Sequence, residues 1–263
     1  MAIKISHETP MCLLDDSLKF NDYDYCLPHL LDKEPRYLEY FRKSKKAGRY
    51  IIMDNSLHEL GEAYDHERLL YWINEIKPNE FIVPDVWEDC IGSLQNAEIW
   101  TLYDFPKGVE KVAVVQARTL HEASECTKVY KNLGYNKIAY SYGASYYNDI
   151  CPHPNEGLGK ALGRLMVIST LLKTGILKHE DRVHLLGCSV PQEFGWYKDI
   201  NCIESIDTSN PVMAALDNQA YLDSGLYRKP EANMNNHFYT ENKNIDFDLL
   251  SHNLEMFKTI NNL

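Results

Sequence analysis

Three aspartates and a glutamine each end a short run of apolar or β-branched residues. Tyr50-Ile51-Ile52-Met53 leads into Asp54, and Phe81-Ile82-Val83-Pro84 into Asp85. Val112-Ala113-Val114-Val115 leads into Gln116, and Cys202-Ile203-Glu204-Ser205-Ile206 into Asp207. Carboxylates serve as nucleophiles toward anomeric carbon and as proton carriers, and a carboxamide supplies both a donor and an acceptor. Each residue also has an ordinary structural reading. Asp54 and Asp85 suit strand-end turns, Gln116 a satisfied polar strand end, and Asp207 the cap of a following helix.

The elements that must position these groups follow from the pattern of apolar runs. Strands are expected at 23–27, 49–53, 80–84, 111–115, 137–141, 182–187 and 202–206. Helical stretches are expected at 33–46, 66–76 (with Asp65 as N-cap), 91–103, 120–133, 159–176, 192–197, 211–222 and 246–260. Strand–helix units recurring every ~25–30 residues imply parallel strands joined by crossovers. The fold class expected is α/β, a compact (β/α)8 barrel of the TIM type, with 1–263 as one catalytic domain. In such a barrel the C-terminal strand ends converge on one mouth, where active sites form. A doubly wound open sheet is the competing architecture. The eighth strand is placed in 235–240 or near the N-terminus. Residues 144–157, with Pro152, Pro154 and Gly157, read as a loop.

Composition narrows the classes. The chain has 263 residues, 44% of them hydrophobic, and a formal net charge of −11. That charge argues against a broad nucleic-acid-binding surface. Arg42, Lys43, Lys45, Lys46 and Arg49 form a basic cluster, read either as a solvated helix face or as part of a phosphate-binding rim. No run reaches the 18 or more apolar residues of a membrane span, and Met1-Ala2-Ile3-Lys4 lacks a secretory core. A cytoplasmic protein without membrane contact is expected. The seven cysteines form no Cys-x-x-Cys pair, so reduced thiols and no zinc site are expected. No metal or cofactor is implied.

The motifs, in order, resemble the tRNA-guanine transglycosylase superfamily. Ile51-Ile52-Met53-Asp54-Asn55-Ser56 is similar to the segment holding that family's first catalytic aspartate. Val83-Pro84-Asp85 resembles its base-reading segment, and Val114-Val115-Gln116 its Val-Gln-Gly stretch. Tyr142-Gly143 resembles a strand end lining the base pocket. Leu185-Leu186-Gly187-Cys188-Ser189-Val190-Pro191 is similar to Met-Gly-Val-Gly-x-Pro, and Ile206-Asp207-Thr208-Ser209-Asn210-Pro211 keeps the spacing of the nucleophile segment, Phe-Asp-x-x-x-Pro. The departures are informative. Asn55-Ser56-Leu57 stands for Ser-Gly-Gly, Ala117-Arg118 for two glycines, and Val212-Met213 where tRNA enzymes carry an arginine. The family's zinc motif is missing. These differences resemble the compact phage-type enzymes that insert 7-deazaguanines into DNA.

What the resemblance implies is base exchange through a covalent aspartyl-glycosyl intermediate. Asp207 would be the nucleophile and Asp54 the acid–base partner, with a pKa raised by neighbouring carboxylates. Asp85 would accept from the N1 and N2 hydrogens of guanine, and Gln116 would donate to O6. Tyr142, Gly143, Gly187, His58 and Arg118 would complete the substrate site. Trp87 is a further stacking candidate, while a surface His58 and a solvated Arg118 are the plainer readings. The partners implied are guanine-containing DNA, single-stranded or with the base extruded, and a free 7-deazaguanine, in a host cytoplasm. A transferase or N-glycosidase acting on nucleosides, nucleotides or tRNA is the alternative. A catalytically silent barrel used for binding is a third reading.

Overall fold

The computed structural model describes residues 3–263; Met1 and Ala2, where the reading of an absent secretory core begins, lie outside the described residues. Strands and helices alternate along the chain, and eight strands belong to one sheet. The fold class is α/β, a (β/α)8 barrel of the TIM type, as the spacing predicts. By its internal contacts the chain divides into two compact units: residues up to Asn21 with Ser141–Leu263, and Asp22–Tyr140.

The chain opens with β1 (Lys4–Ser6) and the short α1 (Leu14–Ser17). The unit Asp22–Tyr140 then contributes β2 (Asp24–Cys26), α2 (Pro28–Lys33), α3 (Pro35–Lys46), β3 (Ile51–Met53), α4 (Leu57–Leu60) and α5 (His66–Ile76). It continues through β4 (Glu80–Ile82), α6 (Cys90–Trp100), β5 (Glu110–Val115) and α7 (Leu120–Asn132) into β6 (Lys137–Ser141). These strands pair in sequence order, all parallel, with Cys26 opposite Met53, Met53 opposite Phe81, Ile82 opposite Val112 and Val115 opposite Tyr140. Alternate residues face opposite sides of the sheet. One side meets the helices: Phe81 packs on Trp100 at 5.5 Å between centroids, and the Tyr140 hydroxyl meets that of Thr127 on α7 at 2.8 Å. On the other side the buried Lys137 ammonium donates to Glu80 at 2.7 Å.

After β6 the chain forms α8 (Tyr146–Ile150), α9 (Glu156–Lys173), β7 (Arg182–Leu186), β8 (Ile203–Asp207), α10 (Asn210–Leu216), α11 (Met234–His237) and α12 (Phe247–Asn261). Here β8 lies between β1 and β7, parallel to both. Asp207 pairs with Ser6 on one side and Leu186 on the other. Helix starts are chemically marked. Asp65, Asp89, Thr119, Asn155 and Asp246 each accept an N–H from the first turn that follows. Pro28, Pro35 and Pro211 stand in first turns, where a missing N–H costs nothing.

The structure decides two open readings and changes one. The eighth strand is β1, near the N-terminus, while 235–240 holds the end of α11 instead. The segment 144–157 contains α8, whose Tyr146 and Tyr147 are buried. Gly163 permits this, because a Cβ there would sit 2.2 Å from the Tyr147 carbonyl oxygen. Of the basic cluster, Arg42, Lys43 and Lys46 lie exposed along α3, the solvated helix face expected, while Arg49 and Lys45 serve the base of the sheet. Arg49 makes a bidentate pair with buried Asp24 at 2.9 and 2.8 Å, at the start of β2. Lys45 reaches Asn79 at 3.5 Å, Lys43 pairs with Glu39 at 2.8 Å, and Arg42 lies 3.8 Å from Glu75. Asp24 and Asn79 adjoin strand starts, whereas Asp54 and Asp85 follow strand ends. A phosphate rim around those ends therefore does not include Arg49 or Lys45.

Candidate functional site

Within Asp22–Tyr140 the structure gathers Asp54, Asp85 and Gln116 into hydrogen-bonded groups at the C-terminal ends of β3, β4 and β5. The Asp54 N–H continues the ladder to the Cys26 carbonyl at 2.8 Å. Its carboxylate accepts from the Tyr25 hydroxyl at 3.0 Å and from the Ser56 N–H at 3.1 Å. Ser56 reaches that position with φ of 58°, and its hydroxyl meets His29 Nδ1 at 2.7 Å. Burial, reinforced by Lys33, lowers His29 to about 4, so its ring is neutral near neutral pH. Asp54 thus fills the turn role and leaves its carboxylate anchored by two donors.

Asp85 is buried and takes its donors from two amides. Asn55 Nδ2 donates to Oδ1 at 2.5 Å and to the Val83 carbonyl at 3.0 Å. Gln116 Nε2 donates to Oδ2 at 2.6 Å. The amide orientations are fixed by backbone donors. The Glu88 N–H points at Gln116 Oε1 at 3.0 Å, and the Leu57 N–H at Asn55 Oδ1 at 3.0 Å. An N–H can only donate, so each amide oxygen faces it and each NH2 faces Asp85. Glu88, like Ser56, is a non-glycine residue in left-handed backbone, at φ of 50°. Such strain persists where surrounding structure holds it, and it clusters at functional sites.

The Asp85 carboxyl is raised. Burial pushes it from an ordinary 3.8 up to about 6, against the opposing pull of the Gln116 and Asn55 hydrogen bonds. The cause is desolvation rather than a neighbouring carboxylate. Each Asp85 oxygen keeps capacity for a further N–H, and Gln116 keeps one amide hydrogen. The group is therefore built to accept from two donors and to donate to one acceptor. His58 and Arg118 are exposed, on α4 and after β5. The Arg118 N–H donates to Glu122 Oε2 at 2.7 Å. Trp87, next to Glu88, is 44% exposed.

The other unit, residues up to Asn21 with Ser141–Leu263, carries a second group on β7 and β8 and at the end of β1. Asp207 is buried, and its Oδ1 lies 2.9 Å from His184 Nε2. His184 Nδ1 lies 2.8 Å from Ser205 Oγ. Asp207 does not cap α10: Ser209 stands at the N-cap, and Thr208 Oγ1 accepts the Asn210 N–H at 3.1 Å. Ser6, opposite Asp207, has a buried hydroxyl with no hydrogen-bond partner among the described residues.

Tyr142 and Gly187 come together. The Tyr142 N–H donates to the Leu186 carbonyl at 2.9 Å. Gly187 has φ of 58°, and a Cβ there would fall 2.4 Å from Tyr142 Cδ1. Glycine is therefore required both by conformation and by the ring. Gly143 is left-handed too, at φ of 84°. The strap after β8 reaches this ring, since Lys229 Nζ donates to the Tyr142 hydroxyl at 2.5 Å. From below, buried Arg164 donates to the Leu186 and Gly187 carbonyls at 2.9 and 2.8 Å and pairs with Glu193 at 2.7 Å. Those bonds set the turn that presents Gly187.

Four participants escaped the sequence reading: Tyr25, Asn55, His184 and Ser205. A parity signal existed for two of them. His184 stands between Val183 and Leu185, and Ser205 stands two residues from Asp207 and so shares a face with it. Among the described residues no group of three or more His, Cys, Asp or Glu side chains is placed to hold a metal, and no helix is long and apolar enough to cross a membrane. All seven cysteines are free. No protein-family model matches the chain, and no curated protein matches its sequence. The resemblance to the transglycosylase superfamily rests on the motif order and the residues themselves.

Proposed function

We propose that the protein is a base-exchange glycosyltransferase that replaces guanine in DNA with a 7-deazaguanine. The observation that carries this reading is the state of Asp207. It is a buried carboxylate at a strand end that caps no helix and has one oxygen held by an imidazole. In a (β/α)8 fold, such strand-end residues are where catalytic groups sit. Asp207 Oδ2 attacks C1′, the C1′–N9 bond breaks, and its electron pair leaves with guanine. Asp54 supplies the proton that the departing base needs. The incoming 7-deazaguanine loses a proton to the same group, attacks C1′ and releases the Asp207 carboxylate. Asp85 accepts from the two N–H groups of the guanine edge and Gln116 donates to O6. Adenine reverses that donor pattern and leaves buried groups unpaired, at ~1–3 kcal/mol each.

A second reading, exchange or hydrolysis on a free nucleoside or nucleotide, has its own support. Arg42, Lys43, Lys45 and Arg49 are engaged with Glu75, Glu39, Asn79 and Asp24, and the net charge is −11. Those four side chains are occupied by protein partners, and a polyanion is bound through phosphate contacts. The experiment is release of radiolabelled guanine from single-stranded DNA, duplex DNA, tRNA and deoxyguanosine across a salt series. Intact-mass detection of an Asp207 adduct accompanies it. Exchange on single-stranded DNA above duplex, with a shallow salt slope, is expected, because extruding a base costs a few kcal/mol. Activity on deoxyguanosine alone, without salt dependence, would promote the nucleoside reading. Silence on every substrate would remove the enzyme reading.

A further inference from the structure

Asp207 is buried and must nonetheless present one chosen oxygen to a carbon atom. A carboxylate rotating about its last bond would offer either oxygen in many orientations. His184 removes that freedom. Its ring is fully buried, 2.9 Å from Asp207 Oδ1 through Nε2 and 2.8 Å from Ser205 Oγ through Nδ1. An ionised carboxylate only accepts, so Nε2 carries the proton that points at it. The Ser205 hydroxyl rotates to donate to a bare Nδ1 or to accept from a protonated one, so it fixes the ring plane in either state. The β7–β8 register shifts between Val183 and His184, a bulge-like irregularity that places His184 opposite Ser205. Bulges re-aim side chains and recur beside active sites. An apolar residue at this position would leave Asp207 Oδ1 without this donor, so the buried histidine does more than fill space.

We infer that His184, held by Ser205, is a positioning residue that pins Asp207 by Oδ1 and so designates Oδ2 as the attacking atom. The inference rests on the proposed base exchange and deepens it. In the first step Oδ2 bonds to C1′ as the C1′–N9 pair leaves with the base, and the His184 proton stays on Nε2. In the second step the incoming nitrogen bonds to C1′, and the C1′–Oδ2 pair returns to the carboxylate. The Nε2–H bond is stronger to a carboxylate than to the carbonyl of an ester. His184 therefore assists departure of the sugar from Asp207 as well as orienting its arrival. No proton transfer by His184 is required at any stage.

The test separates this role from packing by two matched substitutions. The amide of His184→Gln can place its nitrogen where Nε2 lies and keep the donor to Asp207. The shorter His184→Asn reaches the Nδ1 position near Ser205 and loses it. Base exchange by purified full-length protein is measured on single-stranded DNA and deoxyguanosine, with melting temperature followed for each variant. His184→Gln is expected within about fivefold of wild-type kcat, and His184→Asn to fall on the order of 10²-fold in kcat with KM within about threefold. Burst amplitude should show less glycosyl-enzyme in His184→Asn. Equal kcat in the two folded variants, or a loss confined to KM, would overturn the positioning role while leaving base exchange standing. If His184→Gln fails to fold, His184→Asn with wild-type kcat still overturns it. Long-range 15N spectra give a readout independent of turnover: Nε2 of His184 should carry the proton in wild type, and a proton found on Nδ1 alone would contradict the inference. Wild-type silence on both substrates would instead strike the transglycosylase reading, and this inference with it.

Discussion

Asp85 and Asp207 stand at equivalent places, just past or at the end of a parallel strand, yet their surroundings differ in kind. Asp85 is held by two neutral amides whose own oxygens are fixed by backbone N–H groups. Burial lifts its pKa to about 6, so its charge is expensive and responsive to what binds. Asp207 is held at one oxygen by an imidazole that is itself held by a serine. The first arrangement leaves a flat, bidentate acceptor with an adjacent donor. The second leaves one free oxygen in a defined direction. Recognition wants the former and nucleophilic attack the latter. The same residue type thus stands in two different surroundings, and the proposed roles of base reader and nucleophile follow that difference.

The comparison breaks most sharply at Asp207. Asp207→Asn keeps the shape and the contact with His184 while removing the nucleophile, so base exchange should fall by at least ~10³-fold with the melting temperature little changed. Retention of more than about a tenth of wild-type kcat, a barrier change of only ~1.4 kcal/mol, would reassign the nucleophile. Asp85→Ala should lower kcat/KM for guanine substrates by ~10²-fold, because two N–H acceptors are lost, and Gln116→Ala by ~10-fold. Both variants should still form the covalent adduct at saturating substrate. Wild-type activity equal on adenine and guanine substrates would show that the Asp85 group reads nothing.

The pH dependence sharpens the same contrast. Base recognition needs Asp85 ionised, so kcat/KM should fall tenfold per pH unit below about 6. Stability runs the other way. The folded-state pKa lies above the unfolded one, so the folded protein binds the proton more tightly. The favourable contribution is fully present below about 4 and is lost as pH rises to about 6. For two pKa units the change is roughly 3 kcal/mol, read as the difference between wild type and Asp85→Asn in denaturant midpoints across that window. A wild-type curve parallel to the variant's from pH 4 to 6 would mean that Asp85 is not desolvated as described.

Much of this was legible in the chain, and the illegible parts have physical causes. The apolar runs mark seven strands because buried parallel strands are apolar on both faces. Two runs overestimate strand length: Ile51–Met53 and Glu80–Ile82 are three residues each, shorter than the apolar stretches that hold them. β1 left almost no trace, because Lys4-Ile5-Ser6 has a single apolar residue and is held as a strand by Ser6 pairing with Asp207. α8 was masked by the Pro and Gly of its surroundings, and its stability comes from burying Tyr146 and Tyr147 rather than from helix propensity. Asp54, Asp85, Gln116 and Asp207 were visible as polar strand ends. Asn55 and His184, which set the geometry of the acidic groups, were not, because a supporting residue has no fixed spacing from the group it supports.

Backbone conformation gives a further, smaller contrast. Glu88 and Gly187 both have positive φ, one without and one with glycine's freedom. Glu88→Gly should be neutral or stabilise by ~0.5–1 kcal/mol, while loosening the N–H that aims Gln116 and so raising KM a few-fold. Gly187→Ala should destabilise by ~1–3 kcal/mol, since its Cβ would meet the Tyr142 ring at 2.4 Å. Tyr142 fluorescence or ring NMR shifts would report that displacement. If Gly187→Ala were as stable as wild type with unchanged Tyr142 signals, the close packing described here would be wrong.

The smallest effect concerns Ser6. Its hydroxyl is buried beside Asp207 in the β1–β8 register and finds no partner among the described residues. A buried hydroxyl without a partner costs ~1–3 kcal/mol, so Ser6→Ala should leave stability unchanged or raise it slightly. Directly paired residues of adjacent parallel strands point to the same face, so Ser6 and Asp207 share one. A hydroxyl kept there at a cost to the fold is accounted for if it donates to an oxygen of the sugar that Asp207 attacks. Ser6→Ala should then raise KM by about 3–10-fold, the worth of one neutral hydrogen bond, with kcat within about twofold. Ser6→Cys, nearly the same size with a weaker donor, should fall between. Asp85→Ala, by contrast, should change discrimination between bases and leave the response to sugar modification intact. A Ser6→Ala enzyme with wild-type KM would place the sugar oxygens elsewhere and leave the buried hydroxyl to packing alone.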